Sequence, residues 1–198
     1  VLLFGSALTY GATGELGFNA IRDATGADDP LFVAGMAMIL AGLAFKASAA
    51  PFHMWTPDVY EGAPTAVTAF MSAATKAVAL VVTLRVLVTA FPEQAEIWSV
   101  AIAVLAVVSL VIGNLAALAQ KSVKRMLAYS SVSQAGFMLI AIAADSELGA
   151  KALLFYLIPY AAASLGAFAV LAARERELGE QVTIENVGGM GWERPTLG

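Results

Sequence analysis

The sequence predicts an all-α, polytopic bundle of transmembrane helices, and three observations support this prediction. Of the 198 residues, 60% are hydrophobic and 13% are charged, with a mean hydropathy of +0.79. These values lie outside the range of soluble domains. Apolar runs of about 20 residues, the length that crosses the hydrocarbon core of a bilayer, recur along the chain. The stretch KASAAPFHMW interrupts one of them with a proline, and therefore predicts a discontinuous helix near Lys46–Pro51.

Composition also excludes several classes of function. The net charge is -4 and the pI is near 4.9, which argues against a nucleic-acid partner because such a binder needs clustered cations. The chain has no cysteine and one histidine, so disulfides, thiolate sites and histidine-rich metal sites are excluded. The first apolar run has no charged segment before it, so we do not expect a signal peptide. We expect the chain to be a fragment of a longer protein.

The apolar runs define one transmembrane domain over residues 1–198, with a partial first span. Prolines bound the third span, and the loop QKSVKR precedes the fifth. Pro159 predicts a kink in the last span, and the polar tail after it predicts an aqueous loop or a surface helix. The predicted spans are residues 1–13, 31–50, 65–91, 97–119, 126–144 and 151–173.

The charges of the loops predict the orientation of these spans. Because successive spans alternate in direction, the loops fall into two sets, which we call the acidic side and the basic side. The acidic side comprises residues 14–30, 92–96 and 145–150. The basic side comprises residues 54–63, 120–125 and 174–198, and it holds most of the loop lysines and arginines. The positive-inside rule makes the basic side cytoplasmic.

Two lysines inside apolar spans are the main functional candidates. Lys76 lies near the centre of the third span, and Lys46 lies roughly 22 Å along the second span, beside the predicted break. A lysine at the bilayer centre costs about 2.5 to 3.5 kcal/mol, which favours a function for it. Burial disfavours the charged form of an amine, so a buried lysine can load and release a proton. We therefore predict that Lys46 and Lys76 form a proton relay.

Simpler alternatives remain for each of these residues. Lys76 fits a structural ion pair, and Lys46 fits snorkelling to an interface. His53 either joins the relay or faces the interface. We interpret Asp58 and Glu61 as solvated or helix-capping groups. We interpret the basic residues of the loop before the fifth span as determinants of topology; these are Lys121, Lys124 and Arg125. Hydroxyl residues that either bind channel water or pack helices are Tyr129, Ser130, Ser131 and Ser133.

Two long motifs resemble a known family. They are FKASAAPFHMWTPDVYEGAPTAVTAFMSAATKA and GNLAALAQKSVKRMLAYSSVSQAGFML. Both closely resemble the subunit N family of the bacterial respiratory NADH:quinone oxidoreductase, complex I. That family belongs to the antiporter-like subunits, which multisubunit cation/proton antiporters and membrane-bound hydrogenases share. Ala66 departs from the family pattern, which has a proline there. The resemblance covers nearly the whole chain, from the sixth helix to the approach to the twelfth.

The resemblance implies a fourteen-helix subunit of the bacterial inner membrane, with two inverted five-helix repeats and broken seventh and twelfth helices. It implies that Lys46 and Lys76 are the lysines of helices seven and eight on a proton-conducting axis. A partner glutamate would precede Val1, and a further lysine would follow Gly198. The implied partners are the other membrane subunits of complex I, the lipid bilayer, protons and water. NADH, FMN, iron–sulfur clusters and quinone belong to other subunits, so we expect no cofactor in this one.

Three functions remain open from the sequence. The first is a non-redox, proton-translocating subunit of NADH:quinone oxidoreductase, a translocase without independent catalysis in this fragment. The second is a subunit of a multisubunit cation/proton antiporter. The third is a membrane scaffold that conducts nothing, in which the lysines form structural pairs.

The predicted orientation can be tested by cysteine labelling in intact cells. Single cysteines at Ser122 and Thr25 would lie on the basic and the acidic side, respectively. An impermeant thiol reagent should label the cysteine at 25 and leave the one at 122 unlabelled, because the bilayer separates the reagent from the cytoplasmic loop. Labelling at position 122 in intact cells would reverse the orientation.

Overall fold

The computed structural model describes residues 1–24 and 29–195, and these residues form helices joined by short connections. The predicted loop residues 25–28, including Thr25, lie outside the described residues. A π-helical turn, Met71–Thr75, joins α5 to α6, and a 3-10 turn, Pro92–Gln94, precedes α7. The helices are α1 Leu2–Thr13, α2 Phe18–Asp23, α3 Pro30–Ala47, α4 Trp55–Gly62, α5 Thr65–Phe70, α6 Lys76–Ala90, α7 Ala95–Leu118, α8 Val123–Ala143, α9 Glu147–Leu178, α10 Ile184–Val187 and α11 Met190–Glu193.

Within the described residues, five helical stretches are long and apolar enough to cross a membrane. The predicted all-α class is therefore confirmed. The stretches are Pro30–Ala47, Thr65–Ala90, Pro92–Leu118, Val123–Ala143 and Glu147–Leu178.

Side-chain caps explain where three of these stretches begin. The side chain of Asp29 accepts a hydrogen bond from the Leu31 N–H, with Pro30 as the first helical residue. Ser122 and Ser146 cap α8 and α9 in the same way. Both helices consequently extend beyond the predicted spans 126–144 and 151–173, because hydropathy marks the apolar part of a helix and misses its polar ends.

The predicted break in the second span is confirmed. The helix α3 ends at Ala47, and Ser48 adopts a left-handed conformation with φ of 62°. A turn containing the cis peptide Ala50–Pro51 follows, and a new helix, α4, begins at Trp55. The chain after the break is thus a short half-helix that leads through Pro64 into α5.

The two sets of loops meet at opposite ends of the bundle, as the alternation of spans predicted. At the acidic side, Ile21 and Arg22 lie beside Pro92 and Glu93. At the basic side, the Val123 N–H donates to the Val182 carbonyl at 3.2 Å, which ties the tail to the start of α8. Which end faces the cytoplasm stays a prediction.

Close helix contacts at glycine hold α7 against α8. A Cβ added at Gly113 would lie 2.6 Å from the backbone nitrogen of Ser133, and one at Gly136 would lie 2.9 Å from the Ala106 carbonyl oxygen. A side chain at either position therefore forces the two backbones apart. The core beside this contact contains the fully buried Trp98, whose indole N–H donates to the Phe91 carbonyl at 2.9 Å.

We predict that Gly113→Ala destabilises the bundle by about 1 to 3 kcal/mol, the usual cost of overpacking. The matched control is Gly166→Ala in α9, where an added Cβ meets nothing within 4 Å. Thermal unfolding in detergent, followed by the loss of soluble monodisperse protein, should show a lower midpoint for the first variant and no decrease for the second. Equal midpoints would contradict the glycine contact.

Candidate functional site: a buried lysine and a broken helix

Lys76 is the first residue of α6 and is buried inside the bundle, with 1% of its surface exposed. Its Nζ donates to the backbone carbonyl of Ser131 at 2.5 Å and lies 3.0 Å from the Ser131 Oγ. The Ser131 hydroxyl in turn donates to the Ala128 carbonyl at 2.8 Å. Residues 1–24 and 29–195 provide Lys76 with no carboxylate partner. Within these residues, the partners of the amine are therefore the two neutral oxygens of Ser131.

The π-helical turn Met71–Thr75 directly precedes this lysine. A π turn inserts one extra residue and so rotates everything that follows it relative to a regular α-helix. The hydroxyls of Ser72 and Thr75 donate to the carbonyls of Ala69 and Met71 at 2.8 and 2.6 Å, which satisfies backbone groups around the wider turn. This turn was not predicted from the sequence, and the two hydroxyl residues in an apolar span are the signal for it.

A cavity of about 420 Å³ lies between α8 and α9 and reaches Ser131. It is large enough for several water molecules. The Tyr160 hydroxyl is buried and has no hydrogen-bond partner of normal geometry among the described residues. Ser164 donates to Ser72 of the π turn at 2.7 Å. The polar residues that line the cavity are Ser130, Ser131, Gln134, Tyr156, Tyr160 and Ser164.

Lys46 lies in the last turn of α3 and is exposed on the surface of the described bundle. It borders a groove of about 350 Å³ whose other side includes Phe70, Thr75 and Val78. The described part of the chain offers Lys46 no ion-pair partner. Lys76 bonds to Ser131 of α8, whereas Lys46 borders a groove that is lined by other residues of the helical stretch Thr65–Ala90.

His53 follows the break and is buried, with 5% of its surface exposed. Its ring packs edge-on against Tyr129 of α8, with 6.1 Å between the ring centroids. Within the described ranges its Nδ1 makes no hydrogen bond of normal geometry, and neither does the buried hydroxyl of Thr56. The imidazole therefore packs against α8, and whether His53 joins the relay or lies at the membrane interface stays open.

Two side chains hold the broken helix in place. Ser109 of α7, fully buried, accepts a hydrogen bond from the Ala50 N–H at 2.8 Å. The indole N–H of Trp55 reaches back across the break and donates to the Phe45 carbonyl at 3.0 Å. Helix ends inside a bundle need such partners because water is scarce there. The support of the break by Ser109 was not predicted from the sequence, although a serine within a charge-free apolar span indicates a buried hydrogen bond.

At the basic side, the structure pairs residues that the sequence left separate. Arg125 contacts Asp58 at 2.7 Å and Glu61 at 2.9 Å. Both acidic residues belong to α4, so their interpretation as solvated or capping groups missed this pairing. Lys124 is buried and pairs with Glu175 of α9 at 3.0 Å. Lys124 and Arg125 therefore do more than mark topology, because they join α8 to its neighbours.

The support of the break by Ser109 gives a direct prediction. Ser109→Ala leaves the buried Ala50 N–H without an acceptor, which should cost about 1 to 3 kcal/mol. Hydrogen exchange followed by mass spectrometry should show faster exchange in peptides that cover residues 48–54. Ser99→Ala is the control, because the Ser99 hydroxyl lies at the exposed start of the same helix. Unchanged exchange at the break would show that Ser109 does not support it.

Comparison with known proteins places this arrangement in a family. The whole chain, residues 1–198, matches the family described as NADH:quinone oxidoreductase/Mrp antiporter, TM. NADH-quinone oxidoreductase subunit N of Salinibacter ruber is 46% identical over 201 residues, which cover 99% of this chain and 40% of the relative. The chain thus spans about two fifths of the length of the curated relatives it matches.

Solved structures agree with this assignment. A chain of respiratory complex I from Thermus thermophilus superposes with a TM-score of 0.79 and 44% identity, covering 99% of this chain and 41% of that one. A chain of the Mrp complex from Dietzia sp. superposes with a TM-score of 0.89 and 26% identity, covering 99% of this chain and 36% of that one. The bacterial relatives and the five apolar stretches indicate a multi-pass protein of the inner membrane. The chain belongs to the NADH:quinone oxidoreductase/Mrp antiporter family of transmembrane proteins.

Proposed function

We propose that this chain is part of a proton-translocating membrane subunit of an NADH:quinone oxidoreductase, and that Lys76 carries protons through it. The observation that supports this most strongly is the environment of Lys76. Its amine is buried and is bonded to neutral oxygens of Ser131, which also lines a cavity that holds several hydroxyl groups. A lysine held in this way can cycle between amine and ammonium, which is the chemistry a relay needs.

The proposed step is a proton transfer through water in the cavity. A proton arriving from the input side passes through cavity water to the neutral Lys76 amine, and each water regains a proton as it gives one up. The amine becomes an ammonium ion, whose new charge the carbonyl and Oγ of Ser131 stabilise. The ammonium later gives one proton to a water on the onward path and returns to the amine. The Tyr160 hydroxyl, which makes no hydrogen bond of normal geometry among the described residues, supplies a hydrogen-bonding group for that water.

Lys46 and His53 have subsidiary roles in this proposal. The exposed ammonium of Lys46 faces an apolar groove, where a carboxylate from another segment of the full subunit would pair with it. His53 lies between the break and Tyr129, where its unbonded Nδ1 can bind water. The electron-transfer chemistry with NADH, FMN, iron–sulfur clusters and quinone would belong to partner subunits of the complex.

A cation/proton antiporter subunit is the second candidate, and the match to the Mrp chain favours it. The higher identity to the subunit N relatives favours the oxidoreductase. A non-conducting scaffold fits less well, because a structural role for Lys76 as an ion pair needs a carboxylate that the described residues do not supply. Sodium dependence of transport in vesicles separates the first two candidates, since the oxidoreductase subunit should pump without sodium.

We predict that Lys76→Ala assembles normally in the full complex, because it removes a buried charge together with its desolvation cost. Proton pumping and quinone reduction per assembled complex should fall roughly tenfold or more, as expected when a proton-transfer group is lost. Lys76→Arg should not restore them, because guanidinium holds its proton too tightly to cycle.

The measurement is proton translocation per electron in reconstituted vesicles that contain a quantified amount of assembled enzyme. Lys151→Ala is the matched control, since this exposed lysine pairs only with Glu147 among the described residues, four positions before it. It should pump like the wild type. Wild-type pumping by Lys76→Ala would remove Lys76 from the relay and support the scaffold.

A further inference from the structure

A second buried polar cluster lies at the basic side of the bundle. Lys124 and Glu175 form an ion pair of 3.0 Å, with 8% and 20% of their side chains exposed. The Thr65 hydroxyl donates to the other carboxylate oxygen of Glu175, and the Lys124 ammonium also lies 3.4 Å from the Ala63 carbonyl. Three helices, α5, α8 and α9, thus contribute to this cluster, which we call the ion-pair layer.

The ion-pair layer is aligned with the Lys76 site. On α8, positions 124 and 131 are two helical turns apart, so Lys124 and Ser131 lie on the same face, about 10 Å from each other along the axis. Thr65 and Ser72 have the same spacing on the helix that carries Lys76, and Ser72 binds Ser164 of α9. The helices α8 and α9 and the helical stretch Thr65–Ala90 therefore each present polar groups at two levels along their axes.

An apolar layer separates the two levels. The rings of Tyr60 and Phe168 pack edge to face there, with centroids 5.9 Å apart, and both residues are buried. Ala128 and Leu171 belong to the same cluster. Phe168 also lines the cavity beside Ser131, so its ring lies between that cavity and the ion-pair layer. The Thr68 hydroxyl in this region bonds to the Tyr60 carbonyl and offers no open site.

We propose that Glu175, paired with Lys124, is the residue through which protons from the basic side reach Lys76. This inference rests on the proposed function. The apolar layer of Tyr60 and Phe168 would be the barrier that water must cross in each cycle. The helix α9 has 32 residues and is about 48 Å long, which exceeds the hydrocarbon thickness, so Glu175 near its end lies close to water.

The proton balance of this step is simple. The Glu175 carboxylate takes a proton from water at the basic side, which neutralises it and weakens its bond to Lys124. The neutral carboxyl then gives that proton to water that has entered past Phe168, and the proton passes to the Lys76 amine. Glu175 becomes a carboxylate again and re-forms its ion pair with Lys124. The net change is one proton moved from water at the basic side to Lys76, which has become an ammonium ion.

The double variant Lys124→Gln with Glu175→Gln separates this role from a structural one. Two amides can still hydrogen-bond to each other, and glutamine matches glutamate in size although it is shorter than lysine, but the amides cannot exchange protons. In the full complex the variant should assemble, while proton pumping per assembled complex should fall roughly tenfold or more. Glu177→Gln is the matched control, because Glu177 lies on the same helix end and pairs with Arg174. It should pump normally.

If the double variant does not assemble, a second pair of variants tests whether Glu175 transfers protons or only pairs with Lys124. Glu175→Asp and Glu175→Gln both disturb the ion pair, but only the first keeps an ionisable group. Pumping per assembled complex should be retained in the first and lost in the second, whereas equal pumping in both would overturn the proposal.

Comparison with Lys76→Ala distinguishes a failure of the role proposed for Glu175 from a failure of the proposed function. Loss of pumping in Lys76→Ala together with wild-type pumping in the double glutamine variant would overturn the role of Glu175 and leave the proposed function standing. Wild-type pumping in both variants would overturn both.

Discussion

The contact between the Lys76 amine and the two oxygens of Ser131 is the interaction on which the proposed proton transfer depends. It requires α8 to approach the helix that carries Lys76 closely, with neutral oxygens where an ammonium ion forms. The cap at Ser122 sets the start of α8, and the glycine contacts with α7 hold it in place. The π turn before Lys76 sets the direction in which its side chain points. Packing, capping and backbone geometry therefore all converge on one amine.

The broken helix and the charged basic side impose a second constraint. A membrane helix that ends inside a bundle exposes backbone groups, and here Ser109 and Trp55 satisfy the N–H of Ala50 and the carbonyl of Phe45. The half-helix α4 is then fixed by Arg125 through Asp58 and Glu61. Lys124 and Arg125 are adjacent in α8. The first helical turn of α8 therefore contacts both α4, through Arg125, and the connection between α4 and α5, through Lys124 and the Ala63 carbonyl.

Local features of the sequence were sufficient to predict the all-α class, the break near Pro51 and the burial of Lys76. Hydropathy, a proline and a charge in an apolar run each act within a few residues. The pairing of Lys124 with Glu175 was not predictable in this way, because it depends on the register between two helices that are far apart in sequence. The π turn escaped prediction because hydroxyl residues in an apolar span also fit a regular helix. The position of Lys46 on the surface was missed because an apolar run does not show which face of a helix is covered.

Chemical restoration of the amine at position 76 tests the central claim most directly. The chain has no cysteine, so Lys76→Cys introduces a single thiol into it, and aminoethylation of that thiol restores an amine on a side chain of nearly the same length. The modified fraction is measured by mass spectrometry, and proton pumping by assembled enzyme in vesicles is measured before and after modification. The account predicts little pumping by the unmodified variant and recovery in proportion to the modified fraction. Full pumping before modification, or none after complete modification, would contradict it.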